Sequence, residues 1–138
     1  MSLSIRNQIP GTVTAVTAGE AMSAVKVRLA GGQDITAAIT TDAVKDLGIA
    51  EGSAVKALVK FTEVSLATAP VEGISIRNQI AGTVTEVATG GAMGSVKVDV
   101  EGGELTAAIT RDAVEALGLA AGSSVVALIK STEISLSA

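Results

Sequence analysis

The chain repeats itself. Residues 4–9, Ser-Ile-Arg-Asn-Gln-Ile, return unchanged as residues 75–80. Gly11-Thr12-Val13-Thr14 returns as Gly82-Thr83-Val84-Thr85, and Thr36-Ala37-Ala38-Ile39-Thr40 as Thr106-Ala107-Ala108-Ile109-Thr110. Lys60 with Thr62-Glu63 returns as Lys130 with Thr132-Glu133, after a one-residue deletion near Glu104. The break falls at Ala67 to Gly73, where Pro70 cannot donate to a strand ladder. The sequence therefore divides into a first domain, residues 1–67, a linker, 68–73, and a second domain, 74–138. A copy of roughly 65 residues builds only a marginal core alone. With a mean hydropathy of +0.54, apolar surface that a small lobe cannot hide is expected to be buried between lobes or subunits.

Composition removes most chemistry. The 138 residues include no Cys, His, Trp or Tyr, and one Phe, Phe61. This excludes disulfides, thiolate nucleophiles, Ser-His-Asp triads and imidazole metal ligands. The net charge of −4 argues against a binder of phosphate backbones, which shows a basic face. It leaves room for a small-anion site, where one Arg and a few N–H groups dominate locally. The N-terminal residues lack the apolar core of a signal peptide. The longest charge-free run, Ala116 to Ile129, is shorter than the roughly 20 apolar residues of a membrane-spanning helix. A soluble cytoplasmic protein is the expectation.

Periodicity gives the elements. Ser4 to Ile9 and Gly11 to Thr17 are rich in β-formers. Val25, Val27 and Leu29 alternate with Lys26 and Arg28, as in a half-buried strand, and Ile35, Ala37 and Ile39 alternate after a Gly31-Gly32 turn. Ala43, Val44 and Leu47 then fit one helical face, with Thr40 or Thr41 as cap and Gly48 as stop. Val55 to Lys60 and Thr62 to Leu66 read as strands. Three strands, a short helix and two strands, repeated, predict an all-β chain of two tandem OB-like five-stranded barrels with short helices.

Several residues suit an oxyanion. Ser4, Arg6 and Asn7 gather three hydrogen-bonding side chains, and on a strand Ser4 and Arg6 would share a face. Arg offers a planar fork of donors. Thr40 and Thr110 sit where helices begin. Lys60 and Lys130 end apolar strands. The small-residue loops around Met22 and Met93 could turn successive N–H groups onto an anion. Each feature also has an ordinary reading: a solvated edge strand, a helix cap, a strand-end charge, a plain hairpin loop with methionine as filler. Asp42, Asp112, Glu63 and Glu133 form no acid/base pair by spacing and are assigned to structure. No phosphate-cradling glycine loop is present.

Taken together, Ser-x-Arg-Asn-x-hydrophobic-x-Gly-x-Val, Gly-Gly, Ala-x-Ile-Thr, Leu-Gly-Leu/Ile-x-x-Gly and a late apolar strand ending in Lys resemble the molybdate-binding Mop domain. Two in tandem resemble the di-Mop molbindins. The resemblance covers roughly Leu3 to Leu66 and Ile74 to Leu136. It implies OB-like lobes in a homotrimer that binds molybdate or tungstate without cofactor or chemical change. It implies oxyanion sites between subunits, at Ser4, Arg6, Asn7, Thr40, Lys60 and Phe61, and at Ser75, Arg77, Asn78, Thr110, Lys130 and Ser131. It also implies sites near the threefold axis, from the backbones of Ala21, Met22 and Ser23 and of Ala92, Met93 and Gly94. Three departures stand out: Ile5 and Ile76 where the family usually has Ala, Phe61 where a small residue is usual, and no Asn in the axial loop.

Oxyanion storage and homeostasis is the function expected. The alternatives are an oligomeric scaffold and an oxyanion sensor acting through a separate partner. Nucleic-acid binding, which an OB layout alone would suggest, lacks the aromatics and basic groove such surfaces use. Neither an enzyme nor a membrane partner is expected. The expected donors include no imidazole, so oxyanion affinity is expected to stay level between about pH 6 and 9. Affinity measured across that range checks this.

Overall fold

A computed structural model describes residues 3–138; Met1 and Ser2, at the head of the first expected domain, lie outside them. The alternation in the sequence becomes strands with one buried face. In β2 (Met22–Leu29), Ser23, Val25, Val27 and Leu29 point inward while Ala24, Lys26 and Arg28 face outward. The first copy runs β1 (Asn7–Ala18), β2, β3 (Asp34–Thr40), α1 (Thr41–Leu47), β4 (Ala54–Val59) and β5 (Ser65–Ala67). The second runs β6 (Asn78–Thr89), β7 (Met93–Val100), β8 (Gly103–Thr110), α2 (Arg111–Leu117), β9 (Ser124–Ile129) and β10 (Ser135–Ser137). The expected order is met in both copies, and neither short helix is long and apolar enough to cross a membrane.

The strands form two curled five-stranded antiparallel sheets, β10-β4-β1-β2-β3 and β5-β9-β6-β7-β8. Each half-barrel is thus completed by the other copy. Leu136 of β10 pairs with Ala57, and Leu66 of β5 pairs with Ala127. Val64 and Ile134, each 2% exposed, anchor the two crossings in the core. The core itself is almost wholly Val, Ile, Leu and Ala and runs through both sheets.

Two local expectations change. The first expected strand, Ser4 to Ile9 with Gly11 to Thr17, starts at Asn7 rather than Ser4. Its ladder with β4 begins at Asn7 and Val59, because the chain turns away after Val59 and leaves Ser4 and Arg6 no partner strand. For the same reason Ser4 and Arg6 do not share a strand face. Second, Thr62 to Leu66 is not a continuous strand. Phe61–Glu63 and Ser131–Glu133 are single 3-10 turns, which redirect the chain toward the opposite sheet. A bulge also shifts the register of β1 between Val13 and Ala15, and of β6 between Val84 and Glu86, and an extra residue of this kind curls a sheet. Of the two candidate caps, Thr40 is the one used. Its Oγ1 accepts from the Ala43 N–H at 3.1 Å, and Thr110 does the same for Ala113.

The Gly-Gly turns of the two copies meet back to back. A side chain at Gly31 would overlap the Glu101 carbonyl, and Gly102 sits at φ +87 against the Gly31 and Ala30 backbones. Gly31→Ala is therefore expected to cost about 1–3 kcal/mol, through backbone displacement at the contact. Gly91→Ala, which points into open space, is expected to stay within about 0.5 kcal/mol. Urea unfolding of the two variants checks the difference.

Candidate functional site

The ladders bring the first predicted set together. Asn7 pairs with Val59, so Arg6 and Lys60 leave two neighbouring strand ends side by side. Asn78 pairs with Ile129, so Arg77 and Lys130 do the same. Ser4 and Ser75 lie two residues upstream, and Phe61 and Ser131 follow the lysines. Each group stands where the two sheets meet, because the 3-10 turn after β4 lies on β8 and the turn after β9 lies on β3.

The asparagines fasten this junction. Asn7 Nδ2 donates to the Thr106 carbonyl at 2.9 Å, and its Oδ1 accepts from the Thr106 N–H at 2.8 Å. Asn78 makes the same pair of bonds with Thr36, both at 2.8 Å. A carboxamide presents a donor and an acceptor as a peptide group does, so each Asn extends the edge strand of the other copy by one pairing. Asn7 and Asn78 are 3% and 2% exposed, and their carboxamides are engaged in this bridge. The sequence pointed to them as ligand donors; the structure places their side chains inside the protein.

The four cations are differently placed. Arg6, Lys60, Arg77 and Lys130 are exposed, and among the described residues none makes an ion pair. Arg28, by contrast, forks onto Asp34 at 2.9 and 3.3 Å. That hydrogen bond holds the Asp34 carboxyl below its usual range. Arg77 also lines a cavity of about 350 Å³ with Gln79 and residues 71–74. There Gln79 pins the linker, donating to the Val71 carbonyl at 2.8 Å and accepting from its N–H at 3.0 Å.

Within one chain Thr40 and Thr110 do not join these groups. Thr40 lies four residues along β3 from Thr36, about 13 Å at strand rise, and pairs with Met22. It belongs with Ala21, Met22 and Ser23. There the Thr41 N–H bonds the Ala21 carbonyl at 2.8 Å, Ser23 Oγ and Thr41 Oγ1 are 2.9 Å apart, and Thr41 Oγ1 donates to the Gly19 carbonyl at 2.8 Å. Thr110 likewise pairs with Met93. Its loop replaces Ser23 and Thr41 with Gly94 and Arg111, whose Nη1 donates to the Gly90 carbonyl at 3.3 Å. A cavity of about 590 Å³ opens there between Gly91, Ala92, Thr110, Arg111, Asp112 and Glu115. Met22 and Met93 are about half exposed, at 47% and 48%, so within the chain neither is core. Sequence reasoning missed Thr36, Thr106 and Arg111. The first two had a signal, since they stand at the same place in both copies; Arg111 had none, because it replaces Thr41.

The bridges generate a stability prediction. Asn7→Ala strands a buried N–H and C=O of Thr106 and is expected to cost about 2–4 kcal/mol. Asn78→Ala is expected to cost less, because Thr36 is only half-buried and water can reach it. Chemical denaturation midpoints of the two variants check the order.

Comparison with known proteins agrees with this architecture. Residues 3–66 and 74–136 each match the TOBE domain. MopB of Rhodobacter capsulatus, a molybdenum-pterin-binding protein, is 42% identical over 135 residues, covering 96% of this chain and 50% of that protein. The molybdenum transport protein ModE of Herbaspirillum seropedicae is 39% identical over 133 residues, covering 94% of this chain and 49% of that protein. The chain spans about half the length of these curated relatives. A crystal structure of the cytoplasmic molybdate-binding protein ModG, with molybdate bound, superposes with a TM-score of 0.93 at 37% identity, covering 99% of this chain and 98% of that one. With both copies of its repeat matching one domain, the chain belongs to the TOBE-domain family, the molbindins, as two such domains in tandem.

Proposed function

We propose that the chain is a cytoplasmic oxyanion-binding protein, taking up molybdate or tungstate unchanged for storage and homeostasis. The observation that carries this reading is the pairing of unneutralised cations: Arg6 with Lys60, and Arg77 with Lys130, at adjoining strand ends. A tetrahedral dianion leaving water needs several convergent donors and a cation. Ser4 and Ser75 add hydroxyls beside each cation pair. The overlap with molybdate-bound ModG over nearly the whole of both chains supports the ligand class.

The working form in this reading is a homotrimer. Within one chain, Thr40 and Thr110 stand away from the cations, so their part in those sites falls to a neighbouring subunit. The exposed side chains of Leu3, Met22, Leu47 and Met93 give a subunit contact apolar surface to bury. Residues 1–67 and 74–138 are the two binding units joined by 68–73, in step with the two family matches. The loops around Met22 and Met93 supply the axial sites.

Native mass spectrometry with added molybdate, and sulfate as control, tests the reading. The expected result is a trimer carrying several molybdates and few sulfates. An empty trimer or a monomer would overturn it. Arg77→Ala and Lys130→Ala are expected to weaken molybdate binding about tenfold or more while leaving the oligomer intact. Variants that bind as the parent does would remove these residues from the site.

A further inference from the structure

The two copies place nearly the same residues at the two junctions. Ser4, Arg6, Asn7 and Lys60 correspond to Ser75, Arg77, Asn78 and Lys130. The residue after the lysine breaks the identity: Phe61 in the first copy, Ser131 in the second. Both open a 3-10 turn, both are half-buried, and both are carried onto the edge strand of the opposite sheet. At the same point of the fold, one junction holds a phenyl ring and the other a hydroxyl.

The surroundings differ accordingly. Ser131 Oγ lies 3.5 Å from Asn78 Nδ2, which donates to it. Accepting that bond leaves the Ser131 proton free to be donated elsewhere. The bridge beneath it, Asn78 to Thr36, is only partly buried. At the Phe61 junction the equivalent bridge, Asn7 to Thr106, is buried, and Thr106 is 7% exposed. That junction is drier, has an apolar wall and has one donor fewer.

We propose that Phe61 and Ser131 make the two oxyanion sites of one chain unequal, with the Ser131 site tight and the Phe61 site weak. The inference rests on the oxyanion-binding reading above. A doubly charged tetrahedral ion gives up hydration on entering either junction. At Ser131 a hydroxyl replaces part of what is lost; the Phe61 ring replaces none of it. One hydrogen bond to a charged partner corresponds to a difference of about tenfold in affinity or more. Residue 61 therefore sets whether the chain fills both sites together or one before the other. A serine at 61 would find Asn7 Nδ2 with a second hydrogen to offer, as Ser131 finds Asn78.

Calorimetric titration of the intact protein with sodium molybdate tests this, on the parent, Phe61→Ser and Ser131→Phe. The parent is expected to show a tight and a weak junction class, on top of any loop sites. Phe61→Ser is expected to tighten the weak class about tenfold and leave the tight one in place, and Ser131→Phe to lose the tight class. Thermal melts of both variants separate a binding change from a folding failure, and Phe61→Ser, which removes bulk, decides if Ser131→Phe does not fold. Molybdate uptake that Phe61→Ser leaves unchanged overturns this inference alone. No uptake by the parent overturns the oxyanion-binding reading, and this inference with it.

Discussion

Asn7 and Asn78 each hold both backbone hydrogen-bonding groups of one residue in the opposite copy. Much else follows from that. A buried carboxamide without partners would be costly, so each Asn fixes the separation and register of the two sheets at the junction. The β1–β4 and β6–β9 ladders put Arg6 beside Lys60 and Arg77 beside Lys130, and the bridges hold those strand ends, with the 3-10 turns that follow, against the far edge strands. The exchange of β5 and β10 works in the same direction. Neither copy has a complete sheet of its own, so the surroundings of each cation pair are built from both copies.

Much of this was legible in the residues. The repeat, the order of strands and helix, the caps Thr40 and Thr110 and the Gly48 stop follow from local pattern, and local pattern is what a sequence shows best. The burial of Asn7 was legible in principle: it alternates in step with Ile9, on the inward face of β1. Being polar and next to Arg6, it was expected among the oxyanion donors; the bridge to Thr106 is the role the pattern did not show. The pairing of the last strands was not legible. Leu66 and Leu136 sit in nearly identical surroundings, so nothing local says whether each completes its own sheet or the other. That choice belongs to the 3-10 turns and to long-range packing. The distance of Thr40 from the cations within one chain was not legible for a related reason, since family likeness groups residues by role and the chain groups them by strand register.

The two copies have drifted apart where the fold tolerates it. The hydroxyl network of Ser23 and Thr41 has become Gly94 with Arg111, and either arrangement reaches the carbonyl that precedes the hairpin turn. Val114 closes over Gly94, taking space that Ser23 occupies in the first copy. Gln33, whose place the deletion removes from the second copy, clasps the Ala81 backbone at 2.9 and 3.1 Å. The duplication thus retains the cations and the bridges while varying the devices that hold the loops.

The exchanged strands carry a consequence for how the molecule comes into being. On the ribosome, β1 to β4 emerge early, yet the strand that borders β4 is β10, more than sixty residues later. Until it arrives, β4 presents a row of unpaired N–H and C=O groups. β5, meanwhile, must wait for β9 before it has any sheet to join. Vectorial synthesis therefore cannot finish the first half before the second. Both halves close late and through distant pairings, which favours slow acquisition of structure and leaves the nascent first half open to pairing with a neighbouring chain.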